Sequence, residues 1–166
     1  YGADAVRWFM LSDSPPERDL EWSESGIEGC WRFVQRLWRL ATAARNGGER
    51  DIALDKLTHK TIAGVTADFD ALAFNKAVAR LYALANAIEK AKPGPSRDDA
   101  ARTIVLLVSP MLPHIAEEIW AQWGETGLIA DARLADGTFS PAEVAALRQR
   151  RPDLRVTVGS ATVRQL

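Results

Sequence analysis

Residues 24–46 read ESGIEGCWRFVQRLWRLATAARN, the longest stretch of the chain with one continuous hydrophobic period. Ser23 precedes this stretch and Gly47-Gly48 follows it, and both are typical helix boundaries. The apolar residues recur at the spacing of a single helical stripe: Ile27, Cys30, Trp31, Val34, Leu37, Trp38 and Ala41, with Phe33 at its edge. The pattern therefore predicts a long amphipathic helix whose stripe faces a core.

Further helices are predicted on both sides of this one, because the same period recurs between proline- and glycine-containing breaks. They span residues 2–12, 52–69, 74–91, 97–109 and 112–123. The IVLLV run within 97–109 is apolar on nearly every side, which predicts a helix at the centre of a bundle. We predict a mainly α fold, a helical bundle over residues 24–123 with Trp31, Val34, Trp38 and Trp120 buried.

The character of the sequence changes near its end. Residues 140–143 (SPAE) have the spacing of a capping box, which predicts a short helix to about Arg150. Residues 156–158 and 161–163, separated by Gly159-Ser160, are typical of a β-hairpin. We therefore predict a connector over residues 1–22, the bundle over 23–128, and a small α+β tail over 129–166.

Bulk composition limits the possible functions. A net charge of −1 confines any nucleic-acid binding to a local basic patch. The single cysteine excludes an internal disulfide and a Cys-rich zinc site, and it fits a reducing compartment. No apolar run is long enough to span a membrane, so we expect no membrane partner, and we expect the reducing compartment to be the cytoplasm.

Residues with catalytic potential are few. His59 and His114 are the only histidines, and neither has a second type of metal ligand at useful spacing. The glycines of residues 26–29 (GIEG) lie inside a predicted helix without a preceding strand, so they do not form a phosphate loop. We predict no catalytic residue, no metal site and no cofactor site in this chain.

One basic face is a candidate binding site. Arg32, Arg36 and Arg39 lie at i, i+4 and i+7, opposite the tryptophan stripe, where three guanidinium groups could follow a phosphate backbone. Four residues extend this candidate: Arg45, Lys56, Lys60 and Lys76. The alternative is a solvated face with Glu28 and Gln35 as partners, and the residues alone favour it because most charge runs are simply hydrated.

Several motifs resemble the leucyl-tRNA synthetases. YGADAVR at residues 1–7 resembles the segment that follows the KMSKS loop of class I synthetases, and SPPE, LEWS and SGIEG at residues 14–29 resemble the leucyl branch. Further similar motifs lie at residues 32–40, 59–62, 73–77 and 109–120. The resemblance extends over residues 1 to about 132. It identifies the chain as a piece of a bacterial-type synthetase, separated from its catalytic domain.

The resemblance implies a class Ia anticodon-binding-type bundle that braces the body of leucine tRNA rather than reading anticodon bases. Bracing of this kind agrees with the basic face described above, so we predict no DNA partner and tRNA contacts for Arg32, Arg36, Arg39, Arg45, Lys60 and Lys76. ATP, magnesium and the leucine chemistry belong to a catalytic domain carrying HIGH and KMSKS motifs, which are absent here. The chain alone is therefore expected not to aminoacylate. The family's V-Q-V-N-G-K-x-R segment is also missing after Ala132. In the family this segment belongs to a small C-terminal domain that contacts the elbow of the tRNA. We therefore assign no elbow contact to the tail of this chain.

Two other functions are compatible with the residues. The chain could be a stand-alone helical scaffold that pairs with proteins through its aromatic side chains. It could also be an active ligase fragment, although the missing signature motifs argue against that. A parent reading frame with a HIGH motif, and with KMSKS just upstream of Tyr1, would distinguish a synthetase piece from a scaffold.

Overall fold

The computed structural model describes residues 1–12, 19–43 and 47–132. They form six α-helices and one 3-10 helix: α1 (Ala3–Ser12), α2 (Glu24–Thr42), α3 (Ile52–Asp70), α4 (Phe74–Lys90), α5 (Pro95–Val108), α6 (Pro113–Gln122) and the 3-10 helix Ile129–Asp131. No β-strand occurs among these described residues. The predicted helical bundle is confirmed, whereas the hairpin predicted at 156–163 and the helix predicted at 140–150 lie outside the described residues.

Local capping groups explain where the helices begin. The hydroxyl of Ser23 accepts a hydrogen bond from the backbone N–H of Gly26 at 3.0 Å, and it caps α2. The carboxylate of Asp51 accepts from two backbone N–H groups of α3, at 3.0 and 3.1 Å. Pro95 and Pro113 occupy the first turns of α5 and α6. A backbone N–H in the first turn has no acceptor within the helix, so its absence in proline costs no hydrogen bond. Helix α2 ends at Thr42, because the backbone of Ala43 leaves the helical region (φ −59°, ψ 143°), and the predicted end at residue 46 lies outside the described residues.

Helix α5 lies at the centre of the bundle. It packs against α2, α3, α4 and α6. Its side chains Ile104, Val105 and Val108 are completely buried. The prediction from the apolar IVLLV run is therefore confirmed, because a helix with neighbours on several sides can be apolar around most of its circumference. Within the described residues, no helix is long and apolar enough to cross a membrane.

The buried face of α2 differs from the predicted one. Trp31 is 39% exposed, so its predicted burial is wrong. Val34 and Trp38 are only half-buried, whereas the prediction for Trp120 is confirmed. The residues of α2 that are buried are Ile27, Cys30, Phe33, Leu37, Leu40 and Ala41. The helix is thus rotated toward Phe33.

Aromatic stacking accounts for this rotation. The ring of Phe33 stacks on Trp8 of α1 with a centroid distance of 4.6 Å and an interplanar angle of 5°. Phe33 also lies 4.5 Å from the ring of Tyr82 on α4. Trp31 is left at the surface, where its ring meets Tyr1 edge to face. Burying Phe33 between two aromatic partners outweighs burying Trp31, since such pairs contribute beyond the area they bury.

Helix α1 supplies the N-terminal cap of α6. The Asp4 carboxylate is buried and accepts hydrogen bonds from the backbone N–H groups of His114 and Ile115, at 3.4 and 2.7 Å. The ring Nδ1 of His114 also lies 2.8 Å from Asp4 Oδ1. Arg7 donates to the carbonyl oxygens of Pro110 and Met111 in the preceding loop. Two charged side chains therefore fasten α1 to the α5–α6 junction.

Replacing Asp4 by alanine is expected to lower the free energy of unfolding by about 1–3 kcal/mol, because two N–H groups at the start of α6 lose their acceptor in a partly buried place. His114→Ala is the matched control, since it removes only the contact with an exposed ring and keeps the cap. Urea unfolding followed by circular dichroism measures both variants. Equal midpoints for Asp4→Ala and the parent protein would show that α6 does not depend on this cap.

Candidate nucleic-acid interface

Two of the three predicted arginines on α2 are exposed. Arg32 Nη1 lies 2.7 Å from Glu28 Oε1, one turn earlier on the same helix, and both side chains are more than half exposed. Such a surface pair contributes little to stability, so the guanidinium of Arg32 can exchange this partner for a phosphate. Arg39 is exposed near the C-terminal end of α2. Both side chains can therefore contact an anionic ligand without a change in the fold of the bundle.

Arg36 has a different environment, although it shares the face predicted for all three arginines. Its Nη2 donates to Glu89 Oε2 at 2.7 Å and to Asn86 Oδ1 at 2.8 Å, both on α4. Its side chain is only 18% exposed, and its Nε is buried without a hydrogen-bond partner among the described residues. Arg36 therefore joins α2 to α4, and Glu89 offsets part of its charge. Sequence reasoning named Glu28 and Gln35 as partners and missed both groups on α4.

The other predicted contacts are not gathered in one place. Lys76 is exposed in the first turn of α4, a helix that packs against α2. Lys56 and Lys60 are exposed on α3, which packs mainly against α4 and α5. Arg45 lies outside the described residues. Lys76 thus lies on the helix that Arg36 contacts, whereas Lys56 and Lys60 lie on α3.

Helices α2 and α4 run in the same direction along their contact. Phe33 packs on Tyr82, and Arg36, one turn later, bonds with Asn86 and Glu89, one to two turns after Tyr82. Lys76 therefore lies beside the N-terminal half of α2, roughly 20 Å along α4 from Glu89.

A surface groove lies between the N-terminal halves of these two helices. Its volume is about 360 Å³, and the end of α1 forms one side of it. The residues around it include Ser12, Ser25, Gly29, Asn75, Ala79 and Tyr82. Most of these side chains are small or carry a neutral hydrogen-bonding group. Burial raises the pKa of the Tyr82 phenol, a shift that its hydrogen bond from Trp8 opposes, so this O–H stays protonated at neutral pH.

Two glycines of α2 beside this groove have different structural roles. A Cβ at Gly26 would lie 2.6 Å from the ring of Phe9, so close helix packing requires glycine there. A Cβ at Gly29 would meet only the Nη2 atom of Arg32, at 3.8 Å, which is ordinary contact. Glycine inside a helix costs about 0.5–1 kcal/mol relative to alanine. Packing therefore explains Gly26 but not Gly29.

A second surface feature is aromatic. Four large apolar side chains on α1, on α2 and in the segments that precede these two helices are exposed: Tyr1, Met10, Trp22 and Trp31. Tyr1 meets Trp31 edge to face at 6.4 Å, and Trp22 meets Phe9 at 5.3 Å. Exposed apolar clusters of this kind are typical of protein-contact surfaces.

Metal sites need several His, Cys, Asp or Glu side chains close together. The described part of the chain contains no group of three such side chains that could hold a metal ion.

Comparison with known proteins shows what this bundle resembles. Residues 51–158 match the family described as the anticodon-binding domain of tRNA ligase. The leucine–tRNA ligase of Rhizorhabdus wittichii is 66% identical over 132 residues, which are 80% of this chain and 16% of that protein. The corresponding enzyme of Sphingopyxis alaskensis is 62% identical over 138 residues, with the same coverage. The chain thus spans 16% of the length of these curated relatives.

A solved structure agrees with these relatives. The bundle is similar to part of the ternary LeuRS–tRNA–LeuAMS complex of Agrobacterium radiobacter K84 agnB2, with a TM-score of 0.64 and 27% identity. The match covers 76% of this chain and 19% of that one. The predicted resemblance to leucyl-tRNA synthetases is confirmed. The chain belongs to the anticodon-binding domain family of tRNA ligases, and it is homologous to leucine–tRNA ligases.

Proposed function

We propose that this chain is a tRNA-binding module that braces the body of leucine tRNA. The observation that carries this proposal is the pair Arg32 and Arg39, exposed on one helix of a bundle whose structural neighbour is a synthetase in complex with tRNA. Arginine side chains that meet phosphates fix the orientation of a nucleic acid without reading its bases. The module would therefore hold the tRNA in position for a reaction that takes place elsewhere.

Arg36 has a supporting role in this proposal. Its ion pair with Glu89 fixes α2 against α4, so that the exposed arginines are presented from a rigid helix pair. Lys76 would add a further charge beside the N-terminal half of α2. Lys60 and Arg45 stay predictions as tRNA contacts.

The second partner in this proposal is the catalytic domain of the same ligase, in the cytoplasm. That domain would bind ATP and magnesium and attach leucine to the tRNA. The exposed side chains of Tyr1, Met10 and Trp22 offer an apolar surface for such a contact, because surface that is covered in a larger protein is often apolar. The present chain would contribute tRNA affinity and orientation but no chemical step.

The purified chain is expected to bind tRNA in a salt-dependent manner and to show no leucine-dependent ATP–pyrophosphate exchange. Filter binding or fluorescence anisotropy over about 50–200 mM salt measures the first property, since each phosphate contact adds to the slope of log K against log salt. Radiolabelled pyrophosphate exchange measures the second. A chain that binds no tRNA at about 50 mM salt would contradict the proposal and leave the protein-scaffold alternative.

A further inference from the structure

We propose that the groove between α2 and α4 receives the sugar–phosphate backbone of the bound tRNA, with Gly29 as its floor. This inference rests on the proposed tRNA-binding function and assigns a specific contact to it. Gly29 lies inside a helix with no packing partner that requires glycine. A glycine in such a place allows the backbone of another molecule to approach closely.

The chemistry of the groove fits this occupant. Gly29 and Ala79 face the cavity from opposite helices and keep it open. Ser25 and Asn75 place a hydroxyl and an amide NH2 group beside it, which can donate to phosphate oxygens. The Ser12 hydroxyl donates to the Phe9 carbonyl and can accept from a ribose hydroxyl. Cys30 and Val78, which are buried, complete the lining together with Gly26 and Tyr82.

Cationic groups stand beside the groove. The Nη2 atom of Arg32 lies 3.8 Å from the position that a Cβ on Gly29 would take, so the guanidinium borders the floor. Lys76 follows the groove residue Asn75 and is exposed on the other helix. A phosphate above Gly29 would thus meet Arg32 directly, because the Glu28–Arg32 pair is exposed and readily exchanged. This combination of a low floor, neutral donors and a cationic rim is complementary to an RNA backbone.

Filling the groove tests the inference. Gly29→Leu adds a side chain where only Arg32 lies nearby, and helix propensity favours leucine over glycine, so the fold should be retained. We expect tRNA affinity at low salt to fall by about 10-fold and the salt slope to flatten by about one unit, because one phosphate is kept from Arg32. Ala79→Leu fills the groove from α4, and it should have the same effect.

Gly47→Leu is the matched control, because a Cβ there also has open space around it, in the loop beyond the far end of α2. Hydroxyl-radical footprinting of the tRNA adds a local readout. Gly29→Leu should remove protection from a few consecutive riboses and leave the rest of the footprint. Parental affinity in both Gly29→Leu and Ala79→Leu, with an unchanged footprint, would overturn the groove while leaving tRNA binding intact. If the parent chain itself binds no tRNA, the proposed function fails first.

Discussion

Replacing Trp8 by alanine is expected to lower the free energy of unfolding by about 3–5 kcal/mol, a large fraction of the stability of a domain of this size. Trp8 is completely buried and stacks on Phe33 of α2. Its ring also meets Tyr82 of α4 edge to face at 5.8 Å. Removing the indole would leave a cavity where three helices meet, and a close-packed core refills such a cavity only in part.

Two controls separate the causes of this loss. Trp8→Phe keeps a ring against Phe33 but removes the hydrogen bond from Trp8 Nε1 to the Tyr82 hydroxyl, which is 3.0 Å long, so a smaller loss is expected. Trp22→Ala truncates an indole that is 61% exposed, and its effect should stay below about 1 kcal/mol. Urea unfolding followed by circular dichroism gives all three values. If Trp8→Ala and Trp22→Ala lose the same free energy, Trp8 is not the anchor of α1.

The helices of this bundle could be predicted because their signals are local. Ser23, Asp51, Pro95 and Pro113 each begin a helix within a few residues of where the sequence places it. A cap needs only its own neighbours in the chain to form. The apolar run of α5 likewise predicts a central helix, because a helix that is apolar on nearly every side has no polar face to present to water.

The rotation of α2 could not be predicted from its own residues. Its apolar residues cover a wide arc, so that either Trp31 or Phe33 could lie at the centre of the buried face. The choice depends on Trp8 and Tyr82, which lie on other helices. The same limit applies to Asp4, whose cap on α6 joins residues 110 positions apart.

The candidate site shows this limit most clearly. The common face of Arg32, Arg36 and Arg39 follows from helical spacing alone. The engagement of Arg36 by Glu89 does not, because the two residues are 53 positions apart and meet only when α2 packs on α4. The groove at Gly29 is hidden for the same reason, since its two walls lie on α2 and α4, which are far apart in the sequence and meet only in the folded bundle.

Replacing Arg32, Arg36 and Arg39 together by glutamine is expected to weaken tRNA binding on the order of 100-fold at low salt and to flatten the slope of log K against log salt by roughly two units. The three residues have unequal shares in this loss. Arg32→Gln and Arg39→Gln should each flatten the slope by about 0.7–0.9, because both side chains are exposed. Arg36→Gln should change the slope less and the stability more, because it leaves Glu89 without its partner.

Removing the acidic partner reverses the sign of the expected effect. Glu89→Gln releases the charge of Arg36, so we expect tighter tRNA binding at low salt and a steeper slope. Asp70→Asn on α3 is the matched control, since it changes the net charge equally at a residue that is exposed on a helix packed mainly on α4 and α5. The effects should be similar for leucine tRNA and for other tRNAs, because phosphates carry no sequence information.

A triple variant of Arg32, Arg36 and Arg39 that stays folded by circular dichroism and binds tRNA with the affinity and slope of the parent would show that these arginines are merely hydrated. In that case Arg36 and Glu89 only hold α2 against α4, and the tRNA must contact a different face.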